Sequence, residues 1–135
     1  MASIRKETRI AVPTEHVWDA LKDVGALHTR LVPGFVKDTH LEGNTRTVTF
    51  GNGMVAREEI VSIDVSQRRV VWAIVGQQFR HYNGAAWVEA DSKGGSRFVW
   101  TADVLPDESA EQVEKMMAAG IVVVKQTLEA AAKAA

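Results

Sequence analysis

The chain has 135 residues, 46% of them hydrophobic and 24% charged, which predicts a single globular domain over residues 1–135 with a core of its own. The formal net charge of −1, with both signs dispersed, leaves no basic face for nucleic acid or an anionic membrane surface. There is no cysteine, which excludes disulfides, thiolate metal sites and thiol nucleophiles. No hydrophobic run reaches the roughly 18 residues needed to span a bilayer, and MASIRKETRI lacks a signal-peptide core, so a cytoplasmic protein is expected.

Residues 3–12 alternate cleanly: Arg5, Glu7 and Arg9 take one face, and Ile4, Thr8, Ile10 and Val12 the other. That is the pattern of a half-buried strand. Pro13-Thr14 then suits the first turn of a helix carrying Val17, Trp18, Leu21 and Val24, with Gly25 as its stop. The segment 28–35 contains Pro33-Gly34 and is too broken for a long helix. From about residue 36 to 105 the pattern is five or six strands, with turn signals at 42–44, 51–53, 64–69 and 91–95, which predicts an antiparallel meander. After Pro106 a long helix is expected from about 108 to 131, opened by Ser109-x-x-Gln112 as a capping box. Its apolar stripe is Val113, Met117, Ile121, Val124 and Leu128, and Ala130–Ala135 reads as a fraying end.

Only the last helix is large enough to cover the apolar face of such a sheet, so an α+β arrangement follows, a curved sheet of about six to seven strands gripping one helix. The hairpin at 91–95 tests the register. With DSKGG as the loop, Glu89 faces Arg97, Trp87 faces Val99, Ala85 faces Thr101 and Asn83 faces Asp103. The opposite face then gathers Val88 with Phe98, Ala86 with Trp100, Gly84 with Ala102 and Tyr82 with Val104. A slip of one residue would mix the two sets. Asp103 therefore points outward, although a bulge before Pro106 would turn it inward. The inner face is short of bulk at Gly84, Ala86 and Ala102, which implies a cavity between sheet and helix. The competing expectation is that Met116, Met117 and Trp72 fill that space.

Four stretches carry a family resemblance: AVPTEHVWDALKD, HTRLVPGFV, REEIVSIDVSQRRVVWAI, and HYNGAAWVEADSKGGSRFVWTADVLPDES leading into the long helix. Together they resemble the START-like (SRPBCC) superfamily of polyketide cyclase/dehydrase and lipid transport type, in particular its small bacterial members. The resemblance implies the helix-grip fold and implies little about chemistry, because one fold hosts many functions. A looser similarity to plant abscisic-acid receptors implies that Glu58, Tyr82, Gly84, Met117 and Ile121 face a pocket. Pro33 stands about where those receptors hold a carboxylate-binding lysine, and GNGM does not match their gate loop, so abscisic acid itself is not implied.

On a strand, Glu58 and Glu59 point to opposite faces, and the resemblance turns Glu58 inward. A buried Glu58 beside Trp72 would have the raised pKa of a general acid or base. A rim carboxylate paired with an arginine such as Arg80 is the plainer expectation. The candidate catalytic residues are thus Glu58 and Tyr82. The expected ligand wall is Glu58, Ile60, Trp72, Tyr82, Gly84, Ala86, Phe98, Trp100, Met117, Ile121 and Val124. His16, His28, His40 and His81 lack metal-ligand spacing, and neither a metal nor a cofactor is expected. His81 and Asp103 read as a structural pair on the outer face. Three functions stay open: a carrier or sensor of a small hydrophobic, cyclic or lipid-like ligand, an aromatase/cyclase-type enzyme, and an interaction module. The last would use an exposed Trp87–Val99 patch, which is also the expected surface of a homodimer.

Overall fold

A computed structural model describes residues 1–134; Ala135 lies outside the described residues. Strand β1 (Ala2–Ile10) is followed by helix α1 (Thr14–Lys22) and one π-helical turn (Leu27–Leu31). Six strands come next: β2 (Val36–Glu42), β3 (Thr45–Phe50), β4 (Val55–Asp64), β5 (Arg69–Val75), β6 (His81–Ala90) and β7 (Ser96–Leu105). A 3-10 turn at Asp107–Ser109 leads into helix α2 (Ala110–Ala134). The strands form one antiparallel sheet in the order β1-β7-β6-β5-β4-β3-β2, so the first strand lies beside the last. The sheet and its long C-terminal helix make the expected helix-grip fold.

Helix α2 buries Val113, Met117, Gly120, Ile121, Val124 and Leu128, one stripe at helical spacing laid over the inner face of the sheet. Its second half is tied to β1. Lys125 donates to the carbonyl of Arg9, and Glu129 accepts the Ala11 N–H at 2.9 Å. Helix α1 turns Val17, Trp18, Ala20 and Leu21 toward the core. Arg30 on the π turn reaches back to Asp19 and, at 3.0 Å, Asp23, fixing the turn against α1.

The β6–β7 hairpin has the register that the side-chain faces predict, from Ala90 opposite Ser96 to Asn83 opposite Asp103. Asp91 shapes its turn. One carboxylate oxygen accepts the N–H groups of Lys93 (2.8 Å) and Gly95 (2.9 Å), and the other meets Arg9 at 2.6 Å. The Lys93 N–H first, with Gly95 and Arg9 behind it, holds this carboxyl below the usual range. Asp103 points outward and accepts a 2.6 Å hydrogen bond from Ser3 on β1. His81 is exposed and is not bonded to it, so the pairing expected between these two is replaced by Ser3–Asp103.

Several local expectations change. Helix α1 stops at Lys22, before Gly25, and Gly25 instead gives room to Leu41, whose Cβ would stand 3.2 Å from an added methyl. Helix α2 starts from a 3-10 turn that contains Ser109, which displaces the capping box. Glu89 and Arg97 face each other but turn elsewhere: Glu89 accepts the Trp87 indole N–H at 2.8 Å, and Arg97 lies 3.8 Å from Glu7. Trp87 is half-buried beneath two guanidiniums, Arg5 at 5.6 Å and Arg69 at 6.0 Å from its ring centre. Val99 is wholly buried. The expected exposed Trp87–Val99 patch is therefore absent. Exposed apolar side chains lie elsewhere: Val61, Ile63 and Val65 on and after the end of β4, where a bulge between Ile60 and Ser62 breaks the register, and Leu41, Met54, Val55 and Val122 at other points of the surface.

Gly84 is a tight point of the inner face. A methyl added there would stand 2.5 Å from the Trp72 ring, because Trp72 on β5 lies flat over its cross-strand partner. The Gly84→Ala variant is expected to lose about 1–3 kcal/mol of stability in urea unfolding, as an overpacked core does. A loss below about 0.5 kcal/mol, the usual size for an unconstrained surface site, would mean that Trp72 is not lodged there.

Candidate functional site

Alternation on β3 sends Thr45, Thr47 and Thr49 to one side and Arg46, Val48 and Phe50 to the other. Arg46 and Val48 are buried, so a guanidinium enters the inner face. Its cross-strand partner on β4 is Glu58. Both Nε and Nη2 of Arg46 lie 2.8 Å from one oxygen of Glu58, while Nη1 donates to the carbonyl of Val24 at 3.2 Å. The guanidinium also lies 5.4 Å from the centre of the Trp72 ring. Arg46 and Glu58 are only 4% and 5% exposed, which makes this a buried ion pair held by three elements.

Burial is the main influence on the Glu58 carboxyl and pushes it up, with the charge and hydrogen bonds of Arg46 pulling the other way. Tyr82 is raised well above the ordinary phenol range, first by burial and then by the nearby Glu58 charge. Its hydroxyl therefore keeps its proton at any physiological pH.

These groups line an inner chamber between sheet and α2 with a free volume of about 80 Å³. Its wall combines Phe35, Val36, Val48, Phe50, Val70, Ile74, Ala86, Phe98 and Trp100 with Leu21, Leu27, Leu31 and Val32 from the α1–π-turn side, and Met116 and Val124 from α2. A second, wider space of about 440 Å³ shares Phe35, Phe50, Ile74, Tyr82 and Met116 with the first. It is bordered by Gly34, Gly51, Asn52, Met54, Gln78 and Phe79 from three loops, and by Gln112 and Val113 from the start of α2. The five shared side chains stand where the narrow inner chamber adjoins the broad outer one.

Of the eleven residues expected at a ligand wall, Glu58, Trp72, Tyr82, Ala86, Phe98, Trp100 and Val124 line the inner chamber. Ile60, Gly84, Met117 and Ile121 do not. Gly84 is covered by the Trp72 ring, and Met117 is wholly buried against Ile4, Tyr82, Ala102, Val104 and Val113. Ile121 packs in the main core, and Ile60 lies at its margin. Trp72 thus does fill the space over Gly84, and Met116, not Met117, reaches the chamber wall. Arg80, offered as a partner for Glu58, is exposed; the partner is Arg46. Sequence reading passed over Arg46, whose signal was an arginine in phase with Val48 and Phe50. Among the described residues no group of three or more His, Asp or Glu side chains could hold a metal ion.

Truncating Arg46 to leucine leaves Glu58 buried without its partner. We expect a loss of about 3–5 kcal/mol in urea unfolding, with the double variant Arg46→Leu/Glu58→Leu recovering most of it. Purely additive losses would show that the pair is not coupled. In Arg46→Leu the folded state holds the Glu58 proton more tightly than the unfolded chain. This carboxyl then contributes most below the ordinary carboxylate range, and stability falls as pH rises above that range toward the raised folded value.

Comparison with known proteins agrees with this architecture. A family model described as polyketide cyclase / dehydrase and lipid transport matches residues 1–135. No curated protein matches the chain. Among solved structures, an uncharacterised protein from Bacillus thuringiensis is similar with a TM-score of 0.83 and 18% identity, over 94% of this chain and 98% of that one. The protein XoxI from Bacillus cereus is similar with a TM-score of 0.82 and 18% identity, over 97% and 95% of the two chains. A protein from Thermobifida fusca, solved by NMR, has a TM-score of 0.73 and 27% identity, over 96% and 91%. A helix-gripping sheet of this topology, matched along its whole length, places the chain in the polyketide cyclase/dehydrase and lipid transport family.

Proposed function

We propose that this protein binds a small hydrophobic, cyclic or lipid-like molecule between the sheet and α2, as a carrier or sensor. The observation that carries this reading is the two-part chamber itself, an apolar wall with one polar corner made by Arg46, Glu58 and Tyr82. Pockets that hold drug-sized ligands have this composition, apolar walls with a few placed polar groups that fix orientation. The family description is consistent with it, since lipid transport is one of the roles it names. In this reading Trp72, Ala86, Phe98, Trp100 and Val124 supply contact area, and Tyr82 and Glu58 supply orientation.

A second reading is supported by one observation, the buried Glu58 carboxyl raised by desolvation next to a protonated Tyr82. In an enzyme of the cyclase/dehydrase type these two would move protons while the apolar wall folds a reactive chain. The pairing of Glu58 with Arg46 weighs against it, because that pair favours the ionised carboxylate and occupies one of its oxygens. For such an enzyme, Glu58→Gln would abolish turnover and keep ligand binding; unchanged turnover would remove Glu58 as the proton carrier.

Native mass spectrometry of the protein purified gently from cells tests the binding reading. A discrete retained mass of an apolar small molecule is expected, displaced when the outer chamber is blocked by Ala56→Trp, since Ala56 on β4 lines that space. A clean apo mass, together with no thermal shift across a panel of hydrophobic compounds, would overturn it.

A further inference from the structure

We infer that the ligand of the chamber is neutral and presents a hydroxyl to Glu58, so that the site selects alcohols over carboxylates. The inference rests on the binding reading above and adds the chemistry of the ligand's inner end. It starts from how the hydrogen-bonding capacity of the polar corner is spent. Arg46 gives Nε and Nη2 to one oxygen of Glu58 and Nη1 to the Val24 carbonyl. Its fork is directed at protein groups and is not free to clasp an incoming carboxylate in the two-bond geometry arginine prefers.

The second oxygen of Glu58 accepts no hydrogen bond among the described residues, and neither does the Tyr82 hydroxyl make one. Neither atom is sealed away: both belong to buried side chains, yet both keep surface open to the inner chamber. One vacant acceptor on a carboxylate and one hydroxyl able to donate or accept make a corner complementary to a hydrogen-bond donor. A ligand hydroxyl donates to Glu58, and the Tyr82 hydroxyl is the other uncommitted polar group it meets in the same chamber.

Charge decides which donors fit. The Arg46–Glu58 pair sums to zero in a water-poor enclosure, where any further net charge is costly. A carboxylate would set a second negative charge beside Glu58, and an ammonium would set a second positive charge beside Arg46. A neutral hydroxyl does neither. Size fixes the rest of the molecule. About 80 Å³ is less than the roughly 150 Å³ of an engineered cavity known to take a benzene ring, so the inner chamber suits a narrow hydroxyl-bearing end. The broader apolar body then lies in the outer 440 Å³, past Phe35, Phe50 and Met116, which line both spaces.

Calorimetric titration of the full chain at pH 7 with 4-phenylbutan-1-ol, its methyl ether and 4-phenylbutanoate tests this, since each carries its polar group on a narrow chain and its ring at the far end. The alcohol is expected to bind at least tenfold more tightly than the other two. Equal binding of alcohol and ether would show that no donor is read, and would overturn the inference while leaving the chamber as a binding site. Tight binding of the carboxylate would overturn it as well. No binding of any of the three at millimolar concentration would overturn this inference, and the binding reading is then decided by the mass spectrum. In Glu58→Gln the alcohol preference is expected to collapse and the carboxylate to gain, because Arg46 then lacks its counter-charge; a merely structural role would not exchange the two. Tyr82→Phe leaves the ion pair intact and serves if Glu58→Gln does not fold. Its alcohol-to-ether ratio is expected to fall several-fold, and an unchanged ratio in that variant would overturn the part assigned to Tyr82.

Discussion

The ion pair between Arg46 and Glu58 is the interaction on which the interior is organised. It joins two neighbouring strands, and through Val24 it also holds the chain just after α1. Burying two charges is costly, and a pair of this kind survives because each member satisfies the other and further hydrogen bonds absorb the remainder. The chamber forms around this commitment. Trp72 stacks over the guanidinium and lies in the space that Gly84 leaves open, so the charged corner is roofed by an aromatic ring. Removing either charge would disturb strand pairing, helix placement and cavity shape together.

Small residues do a second job in the same interior. Gly120 on α2 allows the Trp100 ring to approach the helix backbone, since a methyl there would stand 2.8 Å from it. Gly84 does the same for Trp72. Two tryptophan rings are thereby seated over glycines, Trp72 against the neighbouring strand and Trp100 against helix α2. The space left over is set by where these rings stop, and Ala86 and Ala102 keep the sheet between them low.

Much of the fold was legible in the sequence because its two faces are chemically distinct. The β6–β7 register could be read residue by residue, since only one alignment keeps Val88, Ala86, Gly84 and Tyr82 with Phe98, Trp100, Ala102 and Val104. The α2 stripe was legible for the same reason. The site was less so. An arginine ordinarily faces water, so residue type hides Arg46 although its phase with Val48 points inward. Small residues suggest space, but Gly84 receives Trp72; that depends on a neighbouring strand's rotamer, which no local pattern encodes. Met116 and Met117 are adjacent, and which one reaches the chamber follows from a rotation of α2 that spacing alone does not fix. Capping chemistry failed at Ser109 because a 3-10 turn competes for the same residues.

The neighbour relation of β1 and β7 has a consequence for how the chain reaches this state. Residues 2–10 find their sheet partner only in residues 96–105, so a pairing of very long sequence separation closes the sheet. Such contacts make folding slow, because the loop between them must be closed before they reward it. During synthesis the strand that leaves the ribosome early waits for nearly all the rest of the domain. Arg5, Glu7 and Arg9 alternate along it, and that charged ribbon resists pairing with the wrong edge while it waits.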